Sequence, residues 1–114
     1  REDDIITTFG YRVSPVEVER VVGGHPAVHE CAVTGIGVAE DKTITTAFVV
    51  LHPGRHGHEK LQQELLEYAQ KRLAKYKCPR EIVFLESLPK TANGKVQRKV
   101  LRERYDISQT FIRG

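Results

Sequence analysis

The chain has 114 residues, 39% hydrophobic and 29% charged, enough for one globular domain and too few for two. No apolar run approaches the ~20 residues of a membrane span and no signal-peptide pattern opens the sequence, so neither a membrane span nor secretion is expected from these residues. The net charge of +3 hides an asymmetry: residues 71–104 hold eleven Lys/Arg against three Glu, a surplus of +8, and the remainder carries −5.

Arg1-Glu2-Asp3-Asp4-Ile5-Ile6 begins abruptly on a charged cluster, as a piece cut from something longer would. Ile5 to Thr8 predicts a short strand, and Phe9 to Val13 a turn leading into another. Gly10, between two bulky aromatics, supplies either positive φ or a close backbone approach. Ser14-Pro15-Val16-Glu17 predicts a helix start with Ser as N-cap, Pro at the first position and Glu completing a capping box. Val18, Val21 and Val22 then form an apolar stripe, and Gly23-Gly24 with Pro26 stops the helix. A strand is predicted over 27–36, a turn over 38–42 and a second, β-branched strand over 43–51. The mixed faces of that second strand predict a sheet covered well on one side and partly on the other.

Leu61, Leu65, Tyr68 or Ala69, and Leu73 recur at helical spacing, predicting an amphipathic helix over 58–75. Tyr76-Lys77-Cys78-Pro79 ends it, and Arg80 to Glu86 is a third strand. A short basic helix follows over 97–104, with a tail beyond Arg104. The order predicts an α+β fold: a small, mainly antiparallel three-stranded sheet in two layers with covering helices, preceded by a β-hairpin. Cys31 and Cys78 have neither a metal-ligand nor a redox spacing, so they read as reduced thiols in a cytoplasmic setting. His56 and His58 lie in a polar loop with no acidic or cysteine partner at a ligand spacing, and no metal site is predicted.

Leu88-Pro89-Lys90-Thr91-Ala92-Asn93-Gly94-Lys95-Val96-Gln97-Arg98 is the most informative stretch. Pro89 keeps its approach extended and Asn93-Gly94 marks a turn. Lys95 follows that turn directly, where its charge can reach a phosphate or a carboxylate. Taken alone, such a residue is most often a solvated loop lysine.

Two separate motifs give the chain a resemblance. Residues 1–19, R-E-D-D-I-I-T-T-F-G-Y-R-V-S-P-V-E-V-E, and Y-K-C-P-R at 76–80 followed by L-P-K-T-A-N-G-K-V-Q-R at 88–98 resemble the small C-terminal domain of the acyl-adenylate-forming superfamily. That superfamily contains acyl-CoA synthetases, nonribosomal peptide adenylation domains and beetle luciferases. The likeness runs in order to Arg104. It departs at Phe9, where members often have Ser, at Val13 in place of Ile, and at residues 38–43, which lack a common glycine.

The resemblance implies an acid and ATP giving an acyl-adenylate and pyrophosphate, after which the small domain swings and a thiol displaces AMP. Lys95 matches the catalytic lysine that bridges carboxylate and nucleotide. Arg1 matches a ribose contact, Asp3 the hinge within a hinge region of residues 1–6, and Gly10 a residue lining the pantetheine tunnel, with Tyr11 and Arg12 on the CoA side. The implied co-substrates are ATP with Mg, held mainly by a large N-terminal adenylation domain outside this chain, and CoA. The isolated chain is then expected to be inactive.

Alternatives remain open from the sequence. Peptide-synthetase adenylation domains, which load a carrier protein, tend to show G-K-x-D-R, whereas this chain has Gly94-Lys95-Val96-Gln97-Arg98. A stand-alone basic binding module could use the +8 segment, although no aromatics are interleaved as base stacking would want, so no nucleic-acid partner is expected. A regulatory or dimerising domain without chemistry is the third.

Overall fold

The computed structural model describes residues 5–106. Strands β1 (Ile6–Thr8) and β2 (Tyr11–Val13) pair antiparallel with Thr8 opposite Tyr11. Phe9 (φ 50°) and Gly10 (φ 83°) both occupy the left-handed region, the backbone of a two-residue hairpin turn whose twist suits the flanking strands. A Cβ added at Gly10 would meet nothing within 4 Å, so backbone conformation, not close approach, calls for glycine there.

Helix α1 (Pro15–Val22) is capped by Ser14, whose hydroxyl accepts the Glu17 N–H at 3.4 Å. The other half of the expected capping box does not form. The Glu17 carboxylate instead takes the Lys77 ammonium at 3.0 Å, because that partner brings a full opposite charge where a backbone N–H does not.

Strands β3 (Val28–Ala39) and β4 (Lys42–Leu51) form a long antiparallel pair. The connection is tighter than predicted, with Asp41 at φ 63° and a register shift between Gly37 and Ala39. Strand β5 (Glu81–Phe84) pairs parallel with β4, from Thr46 opposite Glu81 to Val49 opposite Phe84. The sheet order β3-β4-β5 therefore mixes one long antiparallel pairing with one short parallel one. The parallel pairing follows from the chain: helix α2 (Glu59–Gln70) lies between β4 and β5 and supplies the crossover such a pair needs.

His58 caps α2, its Nδ1 accepting the Leu61 N–H at 3.1 Å. The helix stops at Gln70, short of the predicted residue 75, where the Arg72 N–H tightens to a three-residue bond with the Ala69 carbonyl that the Leu73 N–H also uses. Leu73 still packs on the core, which is why it kept the helical spacing. A 3-10 turn over Lys75–Lys77 then leads to β5. Helix α3 (Arg98–Tyr105) closes the fold, one residue beyond the predicted end, with the Tyr105 ring 5.0 Å from Phe48.

Alternation along β4 divides the interior in two. Ala47 and Val49 join Val18 and Val22 of α1, Leu61 and Leu65 of α2, and Ile6 and Val13 of the hairpin. Phe48 and Val50 join Ala32, Leu88 and Leu101 of α3 in a smaller cluster. The helices of the predicted layering are thus shared between the sheet faces, the heavier cover on one side. Among the described residues no helix is long and apolar enough to cross a membrane.

Candidate active site

The two faces carry two different constellations. On the α3 face, residues 88–98 form a small two-armed turn seated by buried Leu88 and partly buried Val96. The Pro89 carbonyl accepts the Gln97 N–H at 2.9 Å, and Lys90 bridges to Val96. At the tip, the Thr91 carbonyl accepts the Gly94 N–H at 2.9 Å, and Gly94 takes φ 86°. The residue in the left-handed region is Gly94 alone, Asn93 keeping an ordinary φ.

Lys95 is held through its backbone on both sides. Its N–H donates to Thr91 Oγ1 at 3.1 Å and its carbonyl accepts the Thr91 N–H at 2.8 Å. The tip is therefore hydrogen-bonded, while the Lys95 side chain is exposed and makes no ion pair among the described residues. An ammonium on a fixed base suits engagement of an anion brought by another body.

On the hairpin side, Thr8, Phe9, Tyr11, Thr45, Tyr76 and Arg80 line an open cavity of about 340 Å³. Tyr11 and Tyr76 stack with ring centroids 4.6 Å apart. The Arg80 guanidinium lies 5.3 Å from the centre of the Phe9 ring, and its backbone N–H donates to the Thr45 carbonyl at 2.7 Å. The Lys77 ammonium lies 5.7 Å from the Tyr76 ring centre. Its hydrogen bond to Glu17 holds its pKa above the usual lysine value. Phe9, Tyr11 and Tyr76 are exposed large rings, and the buried Thr45 hydroxyl has no hydrogen-bond partner among the described residues. Stacked rings beside cations suit a flat, anionic ligand.

Gly10 and Arg12 lie on the same hairpin, both exposed. The structure thus groups Gly10, Tyr11 and Arg12 and sets them apart from Lys95 across the sheet. Arg1 and Asp3 lie outside the described residues, as does most of the predicted tail. Sequence reasoning gave no site role to Phe9, Thr45, Tyr76 or Arg80. The Y-K-C-P-R run, already conspicuous as a motif, was the signal available for Tyr76 and Arg80.

The cysteines are not nucleophiles at neutral pH. Burial, helped by the Glu19 carboxylate and opposed by Arg98, pushes the Cys31 thiol from 9.0 up to about 12, and burial raises Cys78 as well. A thiol reagent at about pH 8 should label neither in the folded chain and both in urea, since the thiolate is the reactive form. Rapid labelling of native Cys31 would contradict this. The folded state holds the Cys31 proton more tightly than the unfolded chain does. Its contribution to stability is therefore full below 9.0 and falls as pH rises towards about 12.

With this geometry in place, the comparisons with known proteins are unambiguous. The chain belongs to the family described as the AMP-binding enzyme C-terminal domain, whose profile matches residues 17–95. It is 42% identical over 106 residues to the mitochondrial acyl-coenzyme A synthetase ACSM3 of Mus musculus, covering 91% of this chain and 18% of that protein. A benzoate CoA ligase from Burkholderia xenovorans LB400 superposes with a TM-score of 0.81 at 48% identity, over 90% of this chain and 20% of that one. The Brucella canis acyl-CoA synthetase gives 0.83 at 43% identity, over 91% and 19%. The chain is homologous to acyl-CoA synthetases and spans about a fifth of their length.

Proposed function

We propose that this chain is the mobile C-terminal domain of an ATP-dependent acyl-CoA synthetase, with residues 1–104 forming the domain and 1–6 its hinge region. The overall reaction converts a carboxylic acid, ATP and CoA to acyl-CoA, AMP and pyrophosphate. The observation that carries the reading is the division of the sheet. An exposed lysine on a fixed turn stands on one face, and an aromatic, cationic cavity stands beside the hairpin on the other. Two anionic partners can therefore be met by two faces of one small body.

In the adenylation step Lys95 lies between the acid's carboxylate and the α-phosphate. It offsets the repulsion of two anions and stabilises the charge that develops as the phosphorus is attacked. Arg1 contacts the ribose, and rotation about Asp3 then exchanges the faces. In the second step the thiol of CoA approaches past Gly10, where a side chain would obstruct it, with Tyr11 and Arg12 beside its path. The cavity lined by Tyr11, Tyr76 and Arg80 supports this, because an adenine ring can stack there near positive charge. ATP with Mg is held mainly by the N-terminal adenylation domain, which also holds the acid.

The test uses the longer protein that carries this domain, with ATP, Mg²⁺, CoA and a panel of carboxylic acids. It should release AMP and pyrophosphate and form an acyl-CoA, whereas residues 1–114 alone should form none, since one exposed lysine and one open cavity cannot hold an acid and a nucleotide together. Loading of a carrier protein with no acyl-CoA product would favour the carrier-loading alternative.

A further inference from the structure

The Glu19 carboxylate is strongly built and has no role in the reading above. Its side chain, 17% exposed on α1, gathers donors from two other elements. Oε2 accepts the Val33 N–H of β3 at 2.8 Å and Arg98 Nε at 2.8 Å, and Oε1 accepts Arg98 Nη2 at 2.7 Å. Arg98 is itself only 16% exposed, is the first residue of α3, and stands three residues after Lys95.

We propose that Glu19 is a positioning residue for the adenylation step, acting through Arg98 to set the direction in which the Lys95 arm points. This rests on the role given to Lys95 above. Several contacts hold the arm, but they differ in what they fix. The apolar seat of Leu88 and Leu101 sets its depth against the sheet and, being apolar packing, has little directionality. The pair between Lys90 and Glu30 on the leading arm is more open, at 37% and 30% exposure, and is weakened by solvent. Helix α3 has no side-chain cap at Gln97 to orient its first turn. The two-pronged Arg98–Glu19 contact fixes both the place and the plane of a guanidinium, and it joins α1, the β3 edge and the Lys95 arm at one carboxylate. An apolar pair would hold these layers together at least as well. What the ion pair adds is direction.

The experiment uses the longer enzyme with Glu19→Gln and Arg98→Lys. The first keeps the volume and loses the charge; the second keeps the charge and loses the fork. Each should lower kcat for acid-dependent pyrophosphate exchange about 10-fold, the scale seen when a supporting contact of a reactive group is lost. The KM for ATP, and conversion of a supplied acyl-adenylate to acyl-CoA, should each change by less than about 2-fold. The decisive comparison repeats Glu19→Gln in a Lys95→Ala background, where no further loss of exchange is expected. A further loss there, equal loss in both half-reactions, or unchanged exchange in the single variants would each overturn the inference. Should Glu19→Gln fail to fold, Arg98→Lys carries the same comparison. If Lys95→Ala alone leaves exchange unchanged, the proposed function fails and this inference fails with it. If Lys95→Ala is slow while the Glu19 and Arg98 variants are not, only the inference fails.

Discussion

Lys95→Ala in the longer enzyme should slow acid-dependent pyrophosphate exchange by ~10²-fold or more, the cost of losing one well-placed donor to developing charge. It should leave conversion of a supplied acyl-adenylate to acyl-CoA near its original rate. The asymmetry comes from the geometry. The Lys95 backbone is bonded to Thr91 through its N–H and its carbonyl, so truncation beyond Cβ leaves the turn and its seat intact. Its side chain is exposed, so no cavity opens and the fold should melt as before. The measurement is exchange beside single-turnover thioester formation, with melting as the control. Equal impairment of both steps would end the reading in which two faces serve two reactions.

Gly10→Leu should show the opposite pattern, lowering thioester formation by at least about 10-fold while pyrophosphate exchange proceeds, because a misplaced reactant is enough to cost that much. Two effects have to be separated here. Gly10 takes φ 83°, where a residue with Cβ is strained by about 1–2 kcal/mol. It is also exposed with nothing within 4 Å, so added bulk points into open space and only an approaching ligand would meet it. Gly10→Asn tests the difference, since asparagine tolerates the left-handed region and carries a shorter side chain. Bulk predicts intermediate activity for Asn, whereas strain predicts nearly full activity. If Leu slowed both half-reactions alike, the hairpin would be a structural element and not a wall of the thiol's path.

Much of this fold can be read from local signals, and the failures have local causes. Ser14 and Pro15 mark the start of α1 because capping depends on neighbours in sequence. Leu61, Leu65 and Ala69 mark α2 because all three are buried on one stripe. The end of α2 was set too late because Leu73 packs on the core from a turn, and periodicity records burial without distinguishing helix from turn. The parallel pairing of β5 with β4 is a long-range fact that composition does not encode, although the helix between them permits it. The capping box failed for the same reason: Lys77, sixty residues away, takes the Glu17 carboxylate. At the candidate site, Lys95 and Gly10 stand in recognisable turns, whereas Phe9, Thr45, Tyr76 and Arg80 meet only once the hairpin lies over β4 and the 3-10 turn. The Glu19–Arg98 contact spans 79 positions and was equally out of reach.

The bonds that hold the Lys95 turn also bear on how tightly it can grip. Fixing a backbone residue from a disordered state costs roughly 1–2 kcal/mol, and a turn left loose would incur that for each of its residues when a ligand arrived. Here Thr91, Gly94 and Lys95 are already joined to one another before any partner is met. What remains to be ordered is the rotation about the lysine's own side-chain bonds, about 2 kcal/mol at most. Under the proposed function, in which the domain leaves one position and takes up another in each turnover, the lysine can engage and release its partner with little entropic penalty on each visit.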